Sequence, residues 1–174
     1  MVDRGDDVLR TVATRALDLI VDGAKLGLGT GRAAAAFIAA LGERVRGGLR
    51  VTGVPTSSAS ARLARDLGIP LVGLTERLEL DLTIDGADEV APTLDLIKGK
   101  VRPDAGGTHP FVTESSNLIL DGAVAKPVED PHTLDRALRA IAGFVDTGLF
   151  LGTAERVLVG HSGGRVEVLT RRAP

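Results

Sequence analysis

Lys25-Leu26-Gly27-Leu28-Gly29-Thr30-Gly31-Arg32 decides the fold. A short apolar run of strand length gives way to alternating glycines. An alanine-rich stretch of high helical propensity then runs from Arg32 to about Leu41, with Phe37 and Leu41 as its bulky core side chains. Strand, glycine turn and helix in that order are the opening of a βαβ unit. The same alternation extends on both sides. Upstream, Val8, Val12, Ala16, Leu19 and Ile20 recur at helical spacing between Asp7 and Val21, with Asp6 or Asp7 as the expected cap. Downstream, Leu49 to Val54 reads as a strand. Thr56-Ser57-Ser58 then caps a helix that carries Ala59, Leu63 and Leu67 on one face. Leu71 to Leu74 is a further apolar run, and Leu80 to Ile84 alternates into Asp85-Gly86-Ala87-Asp88-Glu89. Strands alternating with helices predict a Rossmann-like parallel sheet, an α/β domain over residues 1–100.

Past Asp95-Leu96-Ile97-Lys98 the texture changes. Residues 101–110 are polar, with two prolines and paired glycines, and 111–120 have the pattern of a hairpin around Glu114-Ser115-Ser116. Asp130-Pro131 is a cap followed by proline at the first helical position, and Leu134, Leu138 and Ile141 continue that helix. Two strands, Val157–Val159 and Val166–Leu169, flank His161-Ser162-Gly163-Gly164. Residues 101–174 therefore read as a smaller α+β domain with returning C-terminal strands.

Composition narrows the chemistry. The chain has 174 residues, 44% apolar and 25% charged, as an ordinary globular protein has. With no cysteine it has no disulfide and no thiolate metal site. His109, His132 and His161 lack the spacing of metal ligands, so no metal is expected. A formal charge of −2 gives no broad field for nucleic acid, and 2% aromatics leave nothing for base stacking. No run is long enough to span a bilayer, and the acidic start is no signal peptide, so a cytoplasmic location is expected. A small-molecule ligand handled by backbone, hydroxyls and charges remains.

The Gly29-Thr30-Gly31-Arg32 turn sits where backbone N–H groups and a helix N-terminus favour an anion, and phosphate is the expected ligand; a tight turn alone is the structural alternative. Arg32 in the first helical turn is electrostatically misplaced unless an anion neutralises it. Asp85, Asp88 and Glu89 lie past the end of a strand, where open α/β sheets bind ligands. They could serve acid–base chemistry, hold a divalent cation, or simply cap a solvated turn. Lys98 could pair with them or polarise a carbonyl. Ser57 and Ser58 belong to a hydroxyl cluster that capping alone would explain. Gly29-x-Gly31-x-x-Ala34 fits the loose dinucleotide fingerprint, but Arg50 to Gly53 stand where its acidic residue is expected.

Taken together, Leu26 to Ala34, Gly53 to Ser60, Leu80 to Glu89, Asp95 to Gly99, Phe111 to Asp121 and Gly148 to Gly152 resemble ribose-5-phosphate isomerase of the A type, in order along nearly the whole chain. The resemblance implies interconversion of ribose 5-phosphate and ribulose 5-phosphate, in the non-oxidative pentose phosphate pathway, without metal or organic cofactor. It implies that Gly29, Thr30, Gly31, Arg32, Ser57 and Ser58 hold the substrate, that Asp85 and Asp88 bind and move hydroxyl protons, and that Lys98 stabilises the developing oxyanion.

The chain also departs from the family pattern. There the lysine-glycine pair opens a glycine-rich run into a helix with an Arg-Glu-Lys signature, whose glutamate is the general base. Here Lys98-Gly99 meets Lys100-Val101-Arg102-Pro103, and a later part of the family's fold follows. An internal deletion, an incomplete second domain and impaired turnover are expected; a catalytically inactive sugar-phosphate binder or partner subunit is the alternative. Ala33 replaces a loop threonine, Arg10 or Arg15 stands near the family's N-terminal lysine, and Glu89 and Glu114 are the nearby glutamates. With Leu82, Ile84, Leu96, Ile97, Leu118 and Leu120 stripped of cover, either self-association as a homo-oligomer or a marginally stable, aggregation-prone monomer is expected.

Overall fold

The computed structural model describes residues 4–75, 77–98 and 128–171. In chain order these form α1 (Arg4–Ala16), a 3-10 turn (Leu17–Leu19), β1 (Lys25–Leu28), α2 (Arg32–Arg46), β2 (Thr52–Pro55), α3 (Ser58–Asp66) and β3 (Leu82–Ile84). These are followed by β4 (Glu89–Val90), β5 (Leu96–Ile97), α4 (Pro131–Arg139), β6 (Leu149–Phe150), β7 (Arg156–Gly160) and β8 (Val166–Thr170). The chain divides into two compact units, Met1–Gly86 with Arg156–Thr170, and Ala87–Glu155 with Arg171–Pro174. The division expected after residue 100 lies outside the described residues.

In the first unit β1 is the middle of a parallel sheet ordered β2-β1-β3, with Leu26 paired to Gly53 on one side and Leu82 on the other. β1 takes the centre because Leu26 and Leu28 are wholly buried. α2 meets that core with Ala34, Phe37, Ile38 and Leu41, a stripe at the spacing of one helical face. Its apolar register persists to Val45, so the helix outlasts the expected end at Leu41. Of the run Leu71–Leu74, only Leu71 joins the sheet, by a parallel bridge to Gly53, and Leu74 is 72% exposed. Asp6 and Asp7 do not cap α1. They lie inside its first turn, where carboxylates oppose the helix dipole favourably. β7 and β8 form where two strands were expected, they pair antiparallel, and Leu158 packs against the core.

In the second unit β4, β5 and β6 form an antiparallel sheet. β4 and β5 are joined by a tight turn in which the Leu94 N–H donates to the Ala91 carbonyl at 2.8 Å and the Ala91 N–H to the Asp95 carbonyl at 2.9 Å. Leu94 sits there at φ 61°, a position that usually takes glycine, with its side chain buried. α4 begins as expected, with Asp130 accepting the Thr133 N–H at 3.0 Å and Pro131 in the first turn. The hairpin expected over 111–120 lies outside the described residues. The fold class is the expected one, a parallel α/β sheet followed by an antiparallel α+β part.

The expectation of an uncovered apolar sheet needs correction at four positions. Leu82 and Ile84 pack against the core of the first unit, and Leu96 and Ile97 are half-buried. Exposed apolar side chains lie elsewhere, at Val21, Val72, Leu74 and Val168 in the first unit and at Val90, Ile141, Phe144, Val145 and Phe150 in the second. Leu118 and Leu120 are outside the described residues. Among those described, no helix is long and apolar enough to cross a membrane.

Candidate functional site

β1 delivers Gly29 to the carboxyl end of the sheet, next to the end of β3. The Gly29 N–H still donates to Ile84 at 2.9 Å, and the chain then leaves the sheet. The Asp85 carboxylate lies directly over Gly29, where a Cβ would collide with it, so this position requires glycine. Asp85 Oδ1 accepts the Thr30 N–H at 3.1 Å and the Gly86 N–H at 2.8 Å. A carboxylate from one strand end is thereby tied to the loop of its neighbour.

Gly31 follows at φ 107° and precedes α2 without a side-chain cap. The first N–H groups of a helix have no partner within the helix, and those of α2 begin beside Thr30. The Thr30 hydroxyl faces three others: Thr56 Oγ1 at 2.8 Å, Ser57 Oγ at 2.9 Å and Ser60 Oγ at 3.3 Å. β2 and the start of α3 bring these in. Thr56 holds the Leu28 carbonyl through both its N–H, at 3.0 Å, and its hydroxyl, at 3.1 Å. Ser57 caps α3 by accepting the Ser60 N–H at 3.2 Å.

The structure thus brings together Gly29, Thr30, Gly31, Ser57 and Asp85 of the expected residues. Ser58 is exposed at the first position of α3, and the fourth hydroxyl of the cluster comes from Ser60. Sequence reading passed over Ser60, although Ser57-x-x-Ser60 spacing places both on one side of a helix start. The anion that answers Arg32 is internal: its guanidinium meets Asp6 at 3.0 Å, with both side chains more than half exposed. Such a pair contributes little to stability.

Asp88 and Lys98 belong to the second unit, and there they are brought together. Glu89↔Ile97 and Val90↔Leu96 pair β4 with β5, and just before β4 the Asp88 N–H donates to the Ile97 carbonyl at 2.9 Å, which keeps Asp88 at the same end of this pair as Lys98. On its other side Lys98 donates its N–H to the Gly148 carbonyl at 2.8 Å, an approach so close that a Cβ at position 148 would strike the Lys98 carbonyl. The far end of β5 is anchored by Asp95, whose carboxylate accepts the Gly152 N–H and the Thr93 hydroxyl, each at 2.8 Å. The Gly152 N–H foremost, then Thr93 and the positive charge of Arg171, hold the Asp95 carboxyl below its ordinary range. Among the described residues no three His, Asp or Glu side chains gather as a metal site.

A loop of glycines at the carboxyl end of a parallel sheet, with a carboxylate and hydroxyls around it, marks an α/β protein with a loop at the strand ends, where open α/β sheets as a class bind their ligands. The family model of ribose 5-phosphate isomerase A (phosphoriboisomerase A) matches residues 52–102 and 100–164. The chain belongs to that family. A ribose-5-phosphate isomerase A of Parvibaculum lavamentivorans is 34% identical over 223 residues, covering 91% of this chain and 96% of that protein. One of Cereibacter sphaeroides is 37% identical over 221 residues, covering 90% and 88%. The solved ribose 5-phosphate isomerase A of Methanocaldococcus jannaschii is 30% identical with a TM-score of 0.81, covering 94% of this chain and 98% of that one. A D-ribose-5-phosphate isomerase solved in complex with phospho-erythronic acid is 26% identical with a TM-score of 0.86, covering 95% and 98%.

Proposed function

We propose that this protein binds ribose 5-phosphate and has lost most of the family's isomerase turnover. The observation that carries the binding half is the Gly29–Gly31 turn, with the Thr30 hydroxyl and the Asp85 carboxylate held beside an uncapped helix start. A phosphate suits the N–H groups and the positive end of α2. Thr30, Ser57 and Ser58 supply hydroxyls, and Arg32 supplies charge once it exchanges Asp6 for the ligand.

In the aldose–ketose reaction a base takes the C2 proton, an enediolate forms, and the proton returns at C1. Asp85 and Asp88 manage the hydroxyl protons. Lys98 stabilises the oxyanion. The base itself is the missing part. Two pieces of the family model meet at residues 100–102 of this chain, where the base-bearing segment would begin. The alignment to the Parvibaculum protein runs over 223 residues, yet 91% of 174 residues is only about 158, so about 65 aligned positions face a gap in this chain. Glu89, paired opposite Ile97 on β4, lies ahead of Lys98 rather than in the missing segment, and Glu114 is outside the described residues.

A well-placed general base is worth about 10²–10⁴-fold in rate. Purified protein assayed beside an intact family member is therefore expected to turn over ribose 5-phosphate at least ~100-fold more slowly, while calorimetry still shows it to bind. Equal turnover would overturn the deficit, and no heat of binding would overturn the ligand. Glu89→Gln and Glu114→Gln are then the substitutions to make. We further propose that the protein acts in the cytoplasm and self-associates through the apolar side chains left exposed in the second unit. Sedimentation of a plain monomer would refute the latter.

A further inference from the structure

We propose that Ser60 is a positioning residue for Asp85, acting through the peptide group that joins Gly29 to Thr30. Both ends of that group are held. Its carbonyl accepts the Ser60 hydroxyl at 2.5 Å, and its N–H donates to Asp85 Oδ1 at 3.1 Å. The carbonyl and N–H of a trans peptide point in opposite directions, so Ser60 and Asp85 grip one rigid plane from its two sides. The inference rests on the reading of this loop as the sugar-phosphate site.

Helix geometry does not require a hydroxyl at Ser60. The cap of α3 is Ser57, and Ser60 serves it with its backbone N–H. A residue at this third helical position usually turns its side chain back toward the cap. The Ser60 hydroxyl instead crosses to a loop 31 residues away in sequence, with the side chain buried. A hydroxyl has one hydrogen. Once Ser60 gives it to Gly29, Ser60 offers only lone pairs to Thr30 and Ser57. The Thr30 hydroxyl gives its hydrogen to Ser57 Oγ at 2.9 Å, and the Ser57 hydroxyl can then donate toward Ser60 at 3.1 Å, so the same residue that orients the peptide also orders the cluster around Thr30.

Rotation of this peptide would be costly in two ways. A buried carbonyl would lose its donor, and that oxygen would turn toward the Asp85 carboxylate, where like partial charges repel. Gly29 is the residue least able to resist rotation, because it lacks a side chain and cannot acquire one beneath Asp85. Ser60 supplies the restraint that glycine cannot.

Amide hydrogen exchange of Thr30, read alongside calorimetry with ribose 5-phosphate, tests this on the whole protein. In Ser60→Ala, the Thr30 amide is expected to exchange roughly tenfold faster while Ile38 and Leu41 of the core are unchanged, and ribose 5-phosphate to bind about 3- to 10-fold more weakly. Ser60→Thr, which keeps a hydroxyl, restores both. In an Asp85→Asn background the added effect of Ser60→Ala shrinks, because the two residues act on one group. Unchanged Thr30 exchange in Ser60→Ala overturns the proposal, and so does faster exchange that extends equally to Ile38 and Leu41. If the unaltered protein fails to bind ribose 5-phosphate but Thr30 alone still exchanges faster in Ser60→Ala, the positioning role stands and the ligand assignment falls.

Discussion

The two units are built on different physics. In the first, Leu26, Leu28, Phe37, Ile38 and Leu41 are essentially removed from water, and the glycine turn is mounted on that core. In the second, Leu94 is the buried apolar side chain among the described residues, α4 buries none of its own, and Ile141 and Val145 are more than half exposed. What organises the described part of the second unit is polar: the strand pairing around Lys98, and the Asp95 carboxylate with its two donors. The phosphate-type turn therefore inherits the rigidity of close packing. Asp88 and Lys98 depend on hydrogen bonds that water can replace.

The largest test of this contrast is a pair of truncations. Phe37→Ala is expected to cost about 3–5 kcal/mol in urea unfolding, as deletion of a buried ring does, whereas Ile141→Ala stays within about 0.5 kcal/mol. A comparable loss at both sites would erase the distinction. Next is Asp95→Ala, expected to cost about 1–3 kcal/mol, because the Gly152 N–H and the Thr93 hydroxyl lose a charged acceptor. Its acidity gives a pH signature. A carboxyl held low in the folded state adds stability at pH values above its unfolded value, about 4, and that stability is lost as pH falls through the lower folded value. Urea midpoints at pH 7 and pH 3 should therefore converge more in Asp95→Asn than in the parent. Smallest is Thr30→Val, which leaves the packing intact and should weaken ribose 5-phosphate binding about 3- to 10-fold by titration, with little change in melting temperature.

The first unit was legible because its signals are local. Glycines between an apolar strand and an alanine-rich helix announce a βα turn, and nothing distant has to be known. Asp85 was legible as a residue type at a strand end, but its seat over Gly29 depends on which strand lies beside β1. Ser60 was hidden because its partner is far away in sequence, and a serine near a cap is explained well enough without one. The hairpin of β4 and β5 was hidden for a related reason: its turn carries leucine at the left-handed position, so no glycine marks it. Arg32 was read as a cation whose anion would be a ligand; in the structure its partner is Asp6. Which anion depended on how α1 packs, and Asp6 was taken only as a cap.

The first unit is closed by strands from near the end of the chain, so Ala87–Glu155 form an excursion between two of its parts. To the first unit that excursion is a loop whose ends must meet. Closure entropy grows only with the logarithm of loop length, and a twofold change alters it by about 0.6 kcal/mol. Lengthening or shortening the excursion by tens of residues therefore hardly disturbs the balance between folded and unfolded first unit. Nested connectivity of this kind lets a lineage discard part of one module in a single genetic event while the other goes on folding.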